Sequence, residues 1–519
     1  MGIFTTFFST MQVLLILAGG VILIGSIFFE LSGKHRLAVF LLFLAAVCTY
    51  SFAALLDPFL NIWDERFHAL VAKNMMNHPL RPTLYDDPVV RMAYDNWTIA
   101  NVWLHKQPLF LWQIALSFKL FGISEFTLRM PNIIMGSLLV LVTVRTGSLL
   151  TNPRIGYVAG IIMLSTVYVL EMVGGRQDMD HNDTAFLFYI SLSIWTLTEY
   201  HFSGKTRWII LIGLFSGMAI LCKWLVGLLV YFGWLLLRIQ QKKFGIRDNL
   251  DLLKAFAITI LIALPWQIFT FIAYPTEAVL AYDANVRHFL EPMDGQSGPW
   301  WFHFEKFNVF YGRLASFLII PAFIILYRRV KNRQLFVAYT GMVIIVYVFF
   351  SLAVTKMGSF TIIVAMLMCI AFAALMVEMM DSLGKLIPRA SIRSMLTALS
   401  LLVLVVIRFD AEGLQEKHTT WQDTNAYTRM LSHNKGIFVS LDLPQDAVLF
   451  NVRGRHYIEA MFYTGLPAYS FIPSEEQYLD LRSRSRRAAI FRPAAAEIPS
   501  YMASDSTLIV LEYELQGYD

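Results

Sequence analysis

Apolar residues gather in long blocks along most of this chain and thin out only in its last fifth. Predominantly apolar runs cover 11–29, 37–56, 131–150, 155–172, 184–200, 208–222, 224–238, 252–273, 314–327, 336–353, 359–379 and 392–407. A helix that crosses hydrocarbon needs about 20 apolar residues, fewer where the bundle is thin. The pattern predicts an all-α polytopic bundle of about 12–13 transmembrane helices. The segment 108–121 (PLFLWQIALSFKLF) is apolar but short and carries Lys119. It reads as an interfacial helix lying along the membrane surface. From residue 409 the pattern changes. Strand-like runs DAVLFNV, PAYSFIP, RAAIFRP and STLIVLEY alternate with the helix-like HYIEAMFYTG and SEEQYLDLRSRSRR. That alternation predicts a small α/β domain over 409–519, following a membrane domain over 1–408.

Composition agrees with the periodicity. Of 519 residues, 57% are hydrophobic and only 15% charged, with a mean hydropathy of +0.57; a soluble domain carries about 25% charge. The net charge of +5 is mild and gives no reason to expect nucleic acid. All three cysteines (Cys48, Cys222, Cys369) lie in apolar runs, with no CxxC pair or disulfide framework. The first 29 residues lack a basic n-region and an A-x-A site, so they read as a retained span.

Basic residues set an orientation. Lys34/Arg36, Arg145/Arg154, Lys205/Arg207, Lys242/Lys243/Arg247, Arg328/Arg329/Lys331/Arg333 and Lys385/Arg389/Arg393 fall in alternate loops. The positive-inside rule makes these cytoplasmic. The opposite face then receives the N-terminus, the long loops 57–130 and 274–313, the stretch 173–183, the turns at Lys223 and Lys356, and the tail. Counting 108–121 as a span would break this alternation. The expectation is a bacterial-type cytoplasmic membrane protein whose active site and C-terminal domain are extracytoplasmic.

That face collects the unusual chemistry. In NIWDERFHALVAKNMM (61–76), Asp64 and Glu65 follow closely on a span. Asp64 reads either as a helix N-cap or first-turn residue, or as a general base for an acceptor hydroxyl at the bilayer edge. Lys106, Lys223 and Lys356 stand at comparable depth, the last two in very tight turns. Such cations need water, lipid headgroups or a ligand; three together suggest a lipid phosphate. GGRQDMDHND (174–183) packs Arg176, Asp178, Asp180, His181 and Asp183 into ten residues. It is either a solvated loop or a weak oxygen-ligand metal site, with no calcium-loop spacing. In the loop 274–313, Trp300 and Trp301 suit an aromatic belt, while Arg287 and His288 are within reach of a site cleft.

WDERFHALVAKNM, HKQPLFLWQIALSFKLFGISEFTLRMPNIIMGSLL, NDTAFLFYISL, LCKWLVGLLV and VTKMGSF occur in that order across roughly 40–380. Together they resemble the GT-C membrane glycosyltransferases, and among them the bacterial branch similar to protein O-mannosyltransferases and lipid A aminoarabinose transferases. The resemblance implies a polyprenyl-phosphate sugar donor and transfer outside the cytoplasmic membrane. It places the family's first-loop acid on Asp64 and its Lys-Pro-Pro-Leu segment on Lys106-Gln107-Pro108-Leu109. The Asp opening a later span falls on Asp183, and the two lysine turns on Lys223 and Lys356. The chain departs from the pattern at His105, where the aminoarabinose enzymes have Glu, which leaves their metal site open here. It departs again at KMGSFTIIV, which lacks a Tyr and a Pro.

The mechanism so implied is a single inverting displacement. Asp64 takes a proton from the acceptor, and polyprenyl phosphate leaves already ionised. Lys106 and Lys356, with Lys223 or Arg287, offset its charge; His105 and His288 line the donor site. Glu65 and Asp183 orient acceptor or sugar hydroxyls. No cofactor is required, and a divalent metal stays possible. The partners are the lipid-linked donor, an acceptor protein, lipid or glycan, and the bilayer. The alternative is a transporter or flippase for a lipid-linked sugar. Transporters place charge near the midplane in repeated broken helices, whereas here it lies at the outer edge and no repeat is found. A plain anchor for the tail leaves the acids and lysines of the membrane half unexplained.

Overall fold

The computed structural model describes every residue except 1–7, 91, 177–180, 294, 388, 410–425, 494–496 and 518–519. The chain divides into two compact units. One comprises Met1–Leu55, Lys106–Phe110 and Arg129–Ala411; the other comprises Leu56–His105, Leu111–Leu128 and Glu412–Asp519.

The first unit is helical throughout. Among the described residues of the chain, eight helices are long and apolar enough to cross a membrane, or ten if each of two bent pairs counts as one span. Asp183–Ser203 stays outside that count although it is 21 residues long. Its Thr, Ser, Glu and His residues lower its hydropathy. Thr206–Gln240 enters the count as one stretch, yet it reverses direction at Trp224, which has φ 65°. The carbonyl of Gly227 accepts from Ser216 Oγ at 2.8 Å, so the following helix runs back along the first. Adding Asp183–Ser203 and dividing this hairpin restores one helix for each apolar run in the sequence.

Close helix approach replaces hydrophobic driving force within such a bundle. A Cβ on Gly156 would meet Val144 O at 2.4 Å, and one on Gly213 would meet Ala255 O at 2.4 Å. Both helix crossings therefore require glycine. Bends are held by specific bonds. Pro153–Leu164 and Val167–Val173 meet at 56°, and Phe302–Tyr311 and Ala315–Arg329 at 81°. Arg408, at the end of Ala390–Arg408, donates to Ser165 Oγ, to Thr166 Oγ1 and to the carbonyl of Tyr311. One guanidinium thus satisfies acceptors at both breaks, where helical bonding is interrupted.

The second unit is α+β in content. Three parallel strands, β1 Ala447–Phe450, β2 Arg487–Phe491 and β3 Ile509–Leu511, are ordered β1-β2-β3. Register aligns Ala447 with Arg487 and Ala489 with Ile509. β1 is buried along its whole length, as expected of strands covered on both faces. Between strands lie the helices Tyr457–Thr464, ended by Gly465 at φ 75°, and Glu475–Ser483, started by a Ser474/Gln477 capping box. The run PAYSFIP is not a strand. It makes a single bridge from Ala468 to Leu449. Its backbone still bonds with Leu449, Asn451 and Val452, prolines at both ends remove further ladder donors, and the Tyr469 hydroxyl accepts from the backbone N–H of Val89 and Val90.

That last contact is one of many between 56–105 and the tail. Arg66 Nη1 lies 3.2 Å from Glu459 Oε1, both side chains buried. Lys73 Nζ donates to Phe462 O at 2.7 Å, Tyr457 to Thr98 O, and Tyr85 stacks on Tyr469 at 5.2 Å. Phe59, Met430 and Leu431 share a small core. The sequence boundary at 409 therefore separates kinds of sequence; the packed unit includes the first long loop.

Burial pushes the Glu459 carboxyl up, but the Arg66 guanidinium and His456 outweigh it and hold it below its ordinary value near 4.5. A depressed carboxyl contributes stability above its unfolded pKa and loses it as pH falls through the folded value. Arg66→Met leaves that carboxylate buried without its guanidinium, a change that costs about 3–5 kcal/mol, whereas Arg66→Met/Glu459→Met together cost much less. Denaturant unfolding of the two variants at pH 7, repeated below pH 4.5, checks both expectations; the gap between them shrinks in acid.

Candidate active site

Each unit carries part of the predicted chemistry. In the second unit, Asp64 opens the helix Asp64–Met75, preceded by Trp63 at φ 72°, ψ −131° with no side-chain cap. Asp64 is a first-turn residue, where a carboxylate complements the helix dipole. Both Asp64 and Glu65 are buried, at 2% and 1% exposure. Glu65 Oε2 accepts from the backbone N–H of Asn61 at 2.7 Å, and Asn61 Nδ2 donates to Asp57 Oδ2. The turn entering the helix is therefore closed by carboxylates.

His105 is stacked on Trp97, ring centroids 4.1 Å apart and planes within 8°. Trp97 also packs edge-on against Trp63 and tilted against Phe67. Trp103 joins the same group through Phe67, His68 and His105. The residues beside the two acids are thus an aromatic set, held at 61–67 by the helix and at 97–105 by the return of the loop. Of this group, only His105 was expected from the sequence as a site residue.

In the first unit, Asp183 and Lys223 meet. Lys223 Nζ lies 2.5 Å from Asp183 Oδ1, with side-chain exposures of 19% and 2%. The same ammonium sits 5.4 Å above the Phe360 ring. Asp183 starts one helix and Lys223 ends the next, so both sit at their favoured dipole ends. Asn182 Nδ2 donates to Cys222 O at 3.1 Å, and Asn132 Nδ2 to His181 O at 3.0 Å. These two asparagines lock the turn and were not anticipated; Asn182 stands beside a helix start, an available signal, whereas Asn132 lies inside Glu125–Leu150.

Lys106 is half-buried. Its neighbour Gln107 accepts from Gln267 Nε2 at 2.7 Å, and Gln267 accepts from Tyr282 at 2.8 Å. The Tyr282 ring meets Trp224 edge-on. A polar chain therefore links the Lys106 segment, the helix Leu250–Ala273 and the helix Pro275–Leu290.

Lys356 is buried at 2% exposure. It donates to the carbonyls of Phe350, Ser351 and Ala353, capping the end of Arg333–Leu352. Burial lowers its pKa. Arg287 is half exposed and pairs with Glu291 at 3.0 Å. His288 Nδ1 contacts Ala284 O at 2.6 Å. The backbone of Val354 and Thr355 donates to Phe289 and His288 carbonyls, so the Lys356 turn is zipped to the end of Pro275–Leu290. Arg176 pairs with Glu171 at 3.6 Å. Asp178 and Asp180 lie outside the described residues. Among the described residues, no three His, Cys, Asp or Glu gather as a metal would require.

The architecture is that of a polytopic helical protein with acids and lysines at helix ends. Residues 105–269, which include Lys106, Asp183 and Lys223, match the family described as dolichyl-phosphate-mannose-protein mannosyltransferase. An uncharacterized protein of Aquifex aeolicus (strain VF5) is 26% identical over 207 residues, which cover 38% of each chain. The chain thus spans well under half the length of that relative. The structure of ArnT from Cupriavidus metallidurans bound to undecaprenyl phosphate is similar at TM-score 0.61 and 16% identity, over 85% of this chain and 87% of that one. The apo oligosaccharyltransferase of Archaeoglobus fulgidus is similar at TM-score 0.56 and 12% identity, over 83% of this chain and 64% of that one. Residues 105–269 are thus similar to that mannosyltransferase family, and the fold of the chain is similar to that of ArnT.

Removing one partner of the Asp183–Lys223 pair leaves a nearly buried charge. Lys223→Met lowers stability by about 3 kcal/mol, the low end for buried pairs because the ammonium is partly exposed. Asp183→Asn/Lys223→Met recovers most of the loss. Thermal unfolding of the single and double variants in detergent measures the coupling.

Proposed function

We propose that this protein is an inverting glycosyltransferase that moves a sugar from a polyprenyl-phosphate donor to an acceptor on the extracytoplasmic side of the membrane. The observation that carries the reading is the family match over 105–269, which falls on the segment holding Lys106, Asp183 and Lys223. The fold likeness to ArnT, whose structure holds undecaprenyl phosphate, supports a prenyl-phosphate donor. The distribution of basic residues supports the extracytoplasmic orientation.

In this reading Asp64 is the general base. It removes the acceptor proton as the acceptor oxygen or nitrogen attacks the anomeric carbon. The bond from that carbon to the phosphate oxygen breaks, and its electron pair leaves with the polyprenyl phosphate. The proton ends on the Asp64 carboxylate, and configuration inverts. No general acid is needed, because the leaving group is already an anion. Lys106 and Lys223 offset its charge; preorganised contacts of this kind each contribute on the order of a hundredfold in rate. Asp183 orients Lys223. Glu65 holds the turn that presents Asp64, and His105 presents its stacked face beside Trp97. Lys356, with Arg287 and His288 on the segments it is zipped to, shapes the loop around the donor headgroup. Protein hydroxyls, lipid A and envelope glycans are all acceptors of suitable chemistry.

The test uses wild type and Asp64→Asn, each incubated with membranes preloaded with radiolabelled polyprenyl-phosphate sugars. Wild type consumes donor and releases label to an acceptor that the product identifies. Asp64→Asn binds donor normally but turns it over at least about a hundredfold more slowly. Normal turnover by Asp64→Asn would sink the assignment of the base. Movement of intact donor between leaflets by wild type would replace transfer with transport.

A further inference from the structure

The C-terminal residues that reach the segment before Asp64 carry an inference of their own. Trp63 stands at φ 72°, ψ −131°, a region that side chains other than glycine rarely occupy. Such a conformation persists only where its surroundings over-determine it. Here the surroundings are supplied largely by the tail. The N–H of Ile62 donates to the Tyr427 hydroxyl at 2.7 Å. The N–H of Leu60 donates to the Tyr463 hydroxyl at 3.1 Å, and Tyr463 in turn donates to Glu125 Oε1 at 2.8 Å. Lys435 binds both Pro58 O and Glu125. The Arg455 guanidinium lies 5.3 Å over the Trp63 ring. On the far side of Asp64, Arg66 is bound by Glu459. Within nine residues, 58–66, the tail makes five attachments, all to backbone groups or side chains flanking the acids.

We propose that the C-terminal domain is a positioning element of the transferase, in which Tyr427 and Tyr463 hold the backbone of Leu60–Trp63 in its strained conformation and so fix the orientation of Asp64. Tyr427 and Tyr463 are positioning residues; neither acts on the substrate. The proposal rests on Asp64 being the base. Its physical content is that a hydroxyl accepting one backbone N–H decides whether the strained turn persists. Without that acceptor, Trp63 relaxes to an ordinary backbone conformation and the carboxylate that follows it loses its defined direction. Donor binding, assigned to Lys106 and Lys223 of the other unit, is then untouched while the chemical step slows.

The experiment compares full-length wild type with Tyr427→Phe and, separately, Tyr463→Phe. Three quantities are read: hydrogen exchange of the Leu60 and Ile62 amides, donor dissociation constant, and kcat for donor consumption. Expected are a tenfold or greater rise in exchange confined to 58–66, an unchanged donor constant, and a kcat lowered about tenfold, with the melting temperature nearly unchanged. A merely structural role would lower the melting temperature and the amount of active enzyme, with kcat per folded molecule intact. Unchanged exchange in both variants overturns the proposal, because the hydroxyls then do not hold the turn. Raised exchange with an unchanged kcat overturns it too, because the turn then does not govern the base. Failure of the transferase reading itself appears differently, as wild type that consumes no donor.

Discussion

A charge or backbone amide taken out of water must find its partner inside the protein, and the architecture of this chain follows from that demand. In hydrocarbon an unpaired polar group costs several kcal/mol. The apolar runs therefore become helices, and their interruptions fall where side chains satisfy the freed groups. Arg408 does so at two helix breaks, and Lys356 at the end of a third helix. Asp183 and Lys223 neutralise each other where one helix begins and another ends. What looks from composition like chemistry scattered through a membrane protein is, in large part, charge placed where the backbone needs it.

The same rule separates lysines that resemble one another in sequence. Lys106, Lys223 and Lys356 all sit at or beside helix ends. Lys223 has a carboxylate partner and an aromatic face and stays partly exposed. Lys356 spends its donors on three carbonyls and is buried. A cation so engaged shapes a turn. The Arg287 guanidinium, paired with Glu291 one helical turn away, is likewise satisfied locally. Only partner geometry distinguishes roles among these basic residues.

The first long loop and the tail behave as one body because each lacks what the other supplies. The described tail has three short strands and four helices, the longest Ala426–Ser440 at 15 residues, a modest core on its own. The loop 56–105 has one helix of 12 residues and otherwise turns. Packing Phe59 against Met430 and Leu431, and Tyr85 against Tyr469, buries apolar area that neither segment covers alone. The buried Arg66–Glu459 pair fixes how they meet. In this way the acids at 64 and 65 come to depend on residues almost 400 positions later in the chain.

The order and extent of the membrane helices were legible from the apolar runs alone, because burial in hydrocarbon is a property of each segment by itself. Every run became a helix, and the alternation after residue 409 became a parallel sheet with helices between strands. The ordered motifs likewise led to the family that residues 105–269 match. The sequence did not disclose that PAYSFIP would fail as a strand, that Asn132 and Asn182 would lock a turn, or that Tyr427 and Tyr463 would bind the segment before Asp64. Those outcomes depend on partners distant in the chain, and a pattern with a period of two or of 3.6 residues carries no information about them. Tertiary structure decided them because a hydrogen bond needs its donor and acceptor within about 3 Å, a condition that only the folded chain imposes.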